Sequence, residues 1–286
     1  MLRHRLAVII GHLFALLPFW LLYRLSDLLS LLLEWPFSYR QTVINQNLRR
    51  SFPDKMEAEI KELRKAFYRN FADIIVESIK SLHIRESALR KRFKLKNPEV
   101  FEKLRQQEKG VIMVMGHQCN FEWVAMAIPL CVKQPCFAVY HPLKNRRFNR
   151  TIVKIRQQFG LELFRMKNTY PFMLGNKADA PLYVFMADQS PHKGKIRYRT
   201  PFLNQNTPVH LGVENLSKKC DLAIVFLSIE RVKRGHYLTE AELLFADAIH
   251  TEQYEITERH VAALESMIKN DPANWLWSHK RWKHAS

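Results

Sequence analysis

Glycine is scarce in this sequence, 8 residues in 286, and neither a GxGxxG nor a GxxxxGK[ST] pattern occurs. A backbone loop cradling a nucleotide phosphate is therefore not expected, and nucleotide-cofactor chemistry goes with it. The GxSxG strand-to-helix elbow is missing too, so nothing marks a serine nucleophile of that kind. The four cysteines (Cys119, Cys131, Cys136, Cys220) form no CxxC pair and no zinc-like cluster, which excludes a metal finger and a disulfide miniprotein. Thiols that stay reduced in a cytosolic environment are expected. Acidic residues are the minority, 27 against 45 Lys+Arg, leaving a formal net charge of +18. That sign admits nucleic acid, an anionic membrane surface, or an acidic protein or substrate as partner, and does not choose among them. Hydrophobic residues make up 47%, enough for a large core, and no repeat or low-complexity linker divides the chain.

Residues 6–23 contain no Asp, Glu, Lys or Arg, and Arg3 and Arg5 precede them. As one helix, 18 residues would extend about 27 Å, close to the roughly 30 Å hydrocarbon core of a bilayer. Pro18 would kink such a helix. A spanning segment, a monotopic anchor dipping into one leaflet, a cleaved signal peptide and a buried core helix all remain open, although no small-x-small cleavage site precedes Arg40. Arg3 and Arg5 favour a cytoplasmic N-terminus, and a cytoplasmic body then fits a monotopic anchor better than a single span. The expected division is an anchor over 1–40 and a catalytic domain over 41–286.

The remainder reads as α/β: a mostly parallel central sheet flanked by helices, behind an N-terminal hydrophobic membrane-anchoring helix. Apolar spacing predicts a helix over Glu57–Lys80, from Ile60, Leu63, Phe67, Phe71, Ile74, Ile75 and Ile79. Further helices are expected over 98–107, 121–131, 148–159, 208–219 and 255–268. Continuous apolar runs predict strands over 111–115, 137–140, 182–187, 223–229 and 237–245. Strands alternating with helices imply a parallel sheet, and ligands gather outside the carboxyl ends of its strands.

Two polar constellations fall at such ends. Gly116-His117-Gln118-Cys119-Asn120-Phe121-Glu122 follows the first predicted strand, and Asp188-Gln189 follows the run 182–187. A loop can fold Glu122 back onto the His117 imidazole, fixing its tautomer while His117 removes a proton from an attacking hydroxyl. The bland alternatives are a hydrogen-bonded structural histidine and Asp188 as a turn or helix cap. Between the two lie Lys144, Arg146, Arg147, Arg150, Lys154 and Arg156 with no acid among them, either a solvated helix face or an anion-facing one. Cys119 reads as packing.

Several blocks in order carry a wider likeness: Val43, Asn47, Leu48 and Phe52-Pro53; Asn70 and Glu77; Gly116-His117 through Glu122; Tyr140-His141-Pro142-Leu143-Lys144-Asn145; Arg156; Ala187-Asp188-Gln189 with Thr200-Pro201-Phe202; and Trp275 through Lys283. Together they resemble the lipid A biosynthesis acyltransferase family, related to the glycerolipid acyltransferases, over nearly the whole chain. The resemblance implies acyl transfer from an acyl carrier protein thioester to a hydroxyl of a lipid A precursor, without cofactor or metal. It implies His117 as general base, Glu122 as its orienting partner, Arg156 for phosphate or carrier contacts, and Asp188 for site organisation. Asn120, Tyr140, His141, Asn145 and Gln189 are the implied substrate-binding positions. His141 departs from the family's usual arginine, which bears on recognition of an acceptor phosphate. The implied setting is the cytoplasmic face of the cell inner membrane, with membrane lipids and not nucleic acid as partners. A lysophospholipid, aminolipid or other glycolipid acceptor remains an alternative, and a non-enzymatic basic binding protein a remote one.

Overall fold

The computed structural model describes residues 10–284. Helical backbone over 10–16 stops at Leu17-Pro18, and a new helix, α1 (Phe19–Glu34), starts directly after the proline. Pro18 thus ends one helix and precedes the next, since its ring removes a donor that a continuous helix would need. Two further helices follow, α2 (Gln41–Ser51) and the long α3 (Glu57–Lys80). No helix among the described residues is long and apolar enough to cross a membrane, so of the readings left open for the N-terminal segment the spanning one is not found among them.

Helix α1 instead packs along α3 with its polarity reversed. Its inward side carries Leu22, Ser26 and Ser30. Ser26 Oγ donates to Asp73 Oδ1 at 2.6 Å, and Tyr23 Oη donates to Glu77 Oε1 at 2.8 Å. The outward side shows Trp20, Leu28 and Leu31, continued by Trp35 and Phe37, each more than half exposed. Trp20, Leu28 and Leu31 fall on one face of the helix.

The remaining elements, in chain order, are α4 (Glu86–Arg92), β1 (Phe93–Leu95), α5 (Glu99–Gln106), β2 (Val111–Met115), α6 (Phe121–Cys131), β3 (Cys136–Tyr140), α7 (Arg146–Arg156), β4 (Leu161–Arg165), α8 (Thr169–Gly175), β5 (Leu182–Met186), β6 (Tyr198–Phe202), β7 (Gln205–Val209), α9 (Gly212–Cys220), β8 (Ala223–Lys233), β9 (His236–Phe245) and α10 (Glu255–Asn270). Seven strands form one sheet in the order β1-β9-β8-β2-β5-β3-β4. β8, β2, β5, β3 and β4 run parallel, while the β8–β9 hairpin turns β9, and β1 beside it, the other way. The mostly parallel sheet expected from the sequence is therefore present, with β6 and β7 forming a separate antiparallel ribbon.

Burial on both faces explains the unbroken apolar strands. Ile112 and Val114 of β2 join Leu264 and Ile268 of α10 on one face. Val111, Met113 and Met115 join Trp123, Val124 and Ala127 of α6 on the other. The ribbon departs from expectation: a helix was read over 208–219, but Pro208 and Val209 belong to β7 and the helix starts only at Gly212. An edge strand tolerates the proline because its missing amide faces no partner.

Candidate active site

β2 and β5 are neighbours in parallel register, with Met115 opposite Met186. His117 and Asp188 each lie two residues beyond that pair, so both chains deliver their polar residue to the same place. His117 Nδ1 stands 2.6 Å from Asp188 Oδ1, and the His117 backbone amide donates to Oδ2 at 2.8 Å. A carboxylate there can only accept, so Nδ1 carries the proton and Nε2 is left as the basic nitrogen. The indole of Trp275 donates its Nε1–H to Oδ2 at 2.9 Å. Gly116 leaves the room this requires: a Cβ on it would lie 3.2 Å from Asp188 Oδ2 and 2.5 Å from Leu264 Cδ1.

Burial alone would push the His117 imidazole below its ordinary 6.5. The charge and hydrogen bond of Asp188, with Glu122 adding and Arg156 opposing, leave it above that value. Burial also works against ionised Asp188, yet the imidazole, the His117 amide and the Trp275 indole hold the carboxyl well below the usual range.

The expected Glu122–His117 pair is not formed. Glu122 is the second residue of α6 and turns toward α7, where Arg156 grips it in a fork: Nε to Oε2 at 2.9 Å and Nη2 to Oε1 at 2.6 Å. Phe121 takes the place beside the histidine, its ring edge-on at 4.7 Å. The loop between follows its own constraints. Cys119 has φ 49°, left-handed for a non-glycine residue, and its amide donates to Asn274 O at 2.9 Å. The Leu276 amide donates to His117 O at 3.1 Å, and Gln118 Nε2 to Asp271 O at 2.9 Å. The loop after β2 is thus clamped by residues 271–276. Cys119 itself is buried with its thiol pushed well up by burial, a poor nucleophile.

The positions expected to touch substrate separate into two groups. Gln189 is exposed, and its amide donates toward His117 Nε2 at 3.3 Å. Tyr140 is half-buried at the end of β3, and His141 is exposed just beyond it. Asn120 instead is fully buried: its carbonyl caps α6 by accepting from Trp123 N at 3.0 Å, and its amide donates to Glu77 Oε2 at 2.6 Å. Asn145 caps α7 by accepting from Arg147 N and Phe148 N. Both serve helix starts, the role their side chains suit best.

Two residues complete the site beyond those expectations. Trp275 was visible only as part of the Trp- and Lys-rich segment, without a sign that it would reach Asp188. Glu77, fully buried in α3, accepts from Tyr23, Asn120 and Tyr237 at 2.8, 2.6 and 2.7 Å, and burial pushes its carboxyl up. Next to the imidazole, Phe67, Phe71 and Ile74 of α3 join Phe121 and Leu276 around a narrow apolar crevice of about 10 Å³ that reaches His117. Among the described residues no cluster of His, Cys, Asp or Glu could hold a metal ion.

A carboxylate-held imidazole at the carboxyl end of a parallel sheet is an arrangement able to take a proton from a bound group, the chemistry of a group-transfer enzyme. The model of the bacterial lipid A biosynthesis acyltransferase family matches residues 2–284, and the chain belongs to that family. Membership makes it an acyltransferase of lipid A biosynthesis. It is similar to the lipid A biosynthesis palmitoleoyltransferase of Escherichia coli (strain K12), 23% identical over 249 residues that cover 85% of this chain and 79% of the relative. The lipid A biosynthesis acyltransferase of Shigella flexneri gives the same identity and coverage.

Proposed function

We propose that the enzyme moves a fatty acyl chain from an acyl carrier protein thioester to a hydroxyl of a lipid A precursor. Support comes foremost from the His117–Asp188 pair, in which Asp188 holds Nδ1 and leaves Nε2 as the basic nitrogen, met in this structure by the exposed Gln189 amide that an acceptor hydroxyl would displace. Nε2 takes the proton of the acceptor hydroxyl, whose oxygen attacks the thioester carbonyl. The C–S bond then breaks, and the imidazolium returns the proton to the departing sulfur, leaving an ester and a free thiol. Asp188, rather than Glu122, orients and stabilises the imidazolium. Glu122 and Arg156 act as one forked unit beside it, and Gln189, Tyr140 and His141 line the approach. Base catalysis supplies about 10²–10⁴-fold, and positioning a thioester that is already activated supplies more.

The outward apolar face of α1, with Trp20, Leu28, Leu31, Trp35 and Phe37 exposed, supports attachment to the inner membrane as a helix lying in the interface. Replacing Leu28 and Leu31 by Ser should move the protein from the membrane pellet toward the supernatant; an unchanged distribution removes α1 as the anchor. The decisive test of the reaction is mass spectrometry of lipid A from a host lacking its own late acyltransferases, supplied with wild type or His117→Ala. Gain of one acyl chain with wild type alone supports the proposal. A chain gained by another lipid class instead would keep the chemistry and replace the acceptor.

A further inference from the structure

A strongly basic cluster stands directly beside the catalytic pair. Between Asp188 and Glu214 the sequence holds no acid but includes Lys193, Lys195, Arg197 and Arg199; after Asp271 it again holds none but includes Lys280, Arg281 and Lys283. The two segments are tied together. Arg281 Nη1 donates to Pro208 O at 2.8 Å, Arg199 Nη2 to His284 O at 2.7 Å, and Trp282 Nε1 to Thr207 Oγ1 at 2.8 Å. The link to the site is short: the Ser190 amide donates to His279 Nε2 at 3.3 Å, and Ser190 follows Gln189, whose amide meets His117.

These seven cations share one property with many exposed lysines and arginines of the chain, the lack of a carboxylate, but one of them, Arg281, is buried. Arg156, Arg231 and Arg234 each hold a carboxylate, whereas none of the seven has a described carboxylate within 4.0 Å. The acids of the packed helix α10 are otherwise engaged: Glu258 with the Tyr198 hydroxyl, and Glu265 with the Leu203 amide and Lys269. Arg281 is the unusual member. It is 2% exposed, its Nε is buried without a partner, and its one bond is to a backbone carbonyl. Burial lowers it to about 10, and Asp188 is the carboxylate that opposes the shift. A buried guanidinium is ordinarily matched by a carboxylate because the unpaired charge is costly. Here no described carboxylate lies within 4.0 Å of it; Lys195 acts together with Arg281 on His210, whose imidazole burial and these charges lower, and Lys193 and Arg199 act on His284.

We propose that this cluster, anchored by Arg281 and flanked by Lys193 and Lys195, is a subsite for a phosphate group of a bound substrate. The inference deepens the acyl-transfer reading and rests on it. A compact set of cations around one buried fork matches a small anion with several oxygens. An acidic protein surface would need a broad exposed face, and α7, with none of its residues buried, has that character instead. The phosphate can belong to the glycolipid acceptor or to the donor's prosthetic arm; both present the same chemistry.

The test uses the full chain in detergent, as wild type, Arg281→Gln, Arg281→Lys and Lys193→Gln/Lys195→Gln. Initial rates are compared for a phosphorylated lipid A precursor and its phosphatase-treated form, each with an acyl carrier protein thioester and with a phosphate-free acyl thioester of N-acetylcysteamine. The ratio of kcat/KM for phosphate-bearing over phosphate-free substrate should fall about tenfold in Arg281→Gln and in the lysine pair, the scale of one charge-assisted contact. Arg281→Lys should recover part of it. Loss confined to the acceptor comparison assigns the subsite to the acceptor, and loss confined to the donor comparison assigns it to the donor; both support the proposal. An equal loss on all four substrate pairs would overturn it, because that marks a structural Arg281. Titration with inorganic phosphate, followed by ³¹P line width, reads the subsite without turnover. Binding weakened in Arg281→Gln sustains the subsite even if lipid A proves not to be the acceptor, and binding indifferent to both variants overturns it.

Discussion

His117 and Asp188 are joined through register: each stands two residues past the Met115–Met186 pair of adjacent parallel strands, and their side chains close to 2.6 Å. Backbone hydrogen bonding therefore sets the pair's separation, and the site inherits the rigidity of the sheet's middle.

The pair should appear in the pH profile. A base at His117 must be neutral, and although burial lowers its value, the charge and hydrogen bond of Asp188 with the charge of Glu122 leave it above 6.5. Turnover should rise with pH along an acid limb centred above 6.5. In Asp188→Asn only burial and weaker charges remain, so the limb should move to lower pH while the plateau falls about 10²-fold or more. Initial rates of both proteins from pH 5 to 9 check this; a limb that does not move would detach Asp188 from the titrating base.

Glu122 and Arg156 should behave as one unit. Their fork is partly shielded, with about a quarter of each side chain exposed, so either partner alone loses its geometry. Glu122→Ala, Arg156→Ala and the double variant are expected to lose turnover to similar extents, giving a strongly non-additive double-mutant cycle. Losses that multiply would mean separate tasks.

Trp275→Phe keeps the aromatic volume but deletes the donor to Asp188. A buried carboxylate oxygen left short of a partner costs roughly 1–3 kcal/mol. Reduced thermal stability together with a higher His117 value is expected, since a less stabilised, more basic carboxylate pulls harder on its proton. The imidazole Nδ1 proton signal in NMR reads the second effect.

Acid stability has a separate source. His260 is buried with Nε2 unpartnered, and burial lowers it to about 4 from 6.5; His279 is lowered to about 4 as well. The unfolded chain therefore binds these protons first, so stability is lost as pH falls from 6.5 toward 4. His117 has the opposite sense, being raised: it stabilises below 6.5 and loses that contribution as pH rises through its folded value. His260→Leu should flatten the decline of Tm between pH 6.5 and 4.

The strands and most helices could be read from apolar runs because burial on both faces leaves little alternative for segments such as Val111–Met115. The residues delivered by β2 and β5 could be named for the same reason. Their partnership could not be read: Asp188 meets His117 because β5 inserts between β2 and β3, and strand order is a tertiary outcome. Sequence proximity pointed instead to Glu122, which the first turn of α6 carries away toward Arg156. Leu161–Arg165 carries no unbroken apolar run, because as an edge strand it buries only Leu161 and Phe164 and exposes Glu162 and Arg165, and the ribbon is hidden by its prolines and amides. Asn120 and Asn145 illustrate a further limit, since a polar residue ahead of a helix reads equally as ligand contact or cap until the amides above it are located.

The clamp on the loop after β2 has a consequence for timing. Gln118 is held by a carbonyl 153 residues further along the chain, and His117 O and Cys119 N bond to neighbours of that same segment. During synthesis the sheet's central strands and both members of the dyad emerge well before the residues that fasten the loop. A nascent chain arrested after β9 would carry both His117 and Asp188 and yet lack the Trp275 donor and the main-chain clasps. Fastening the loop after β2 therefore requires the chain through residue 276, although every residue of the loop itself is synthesised long before.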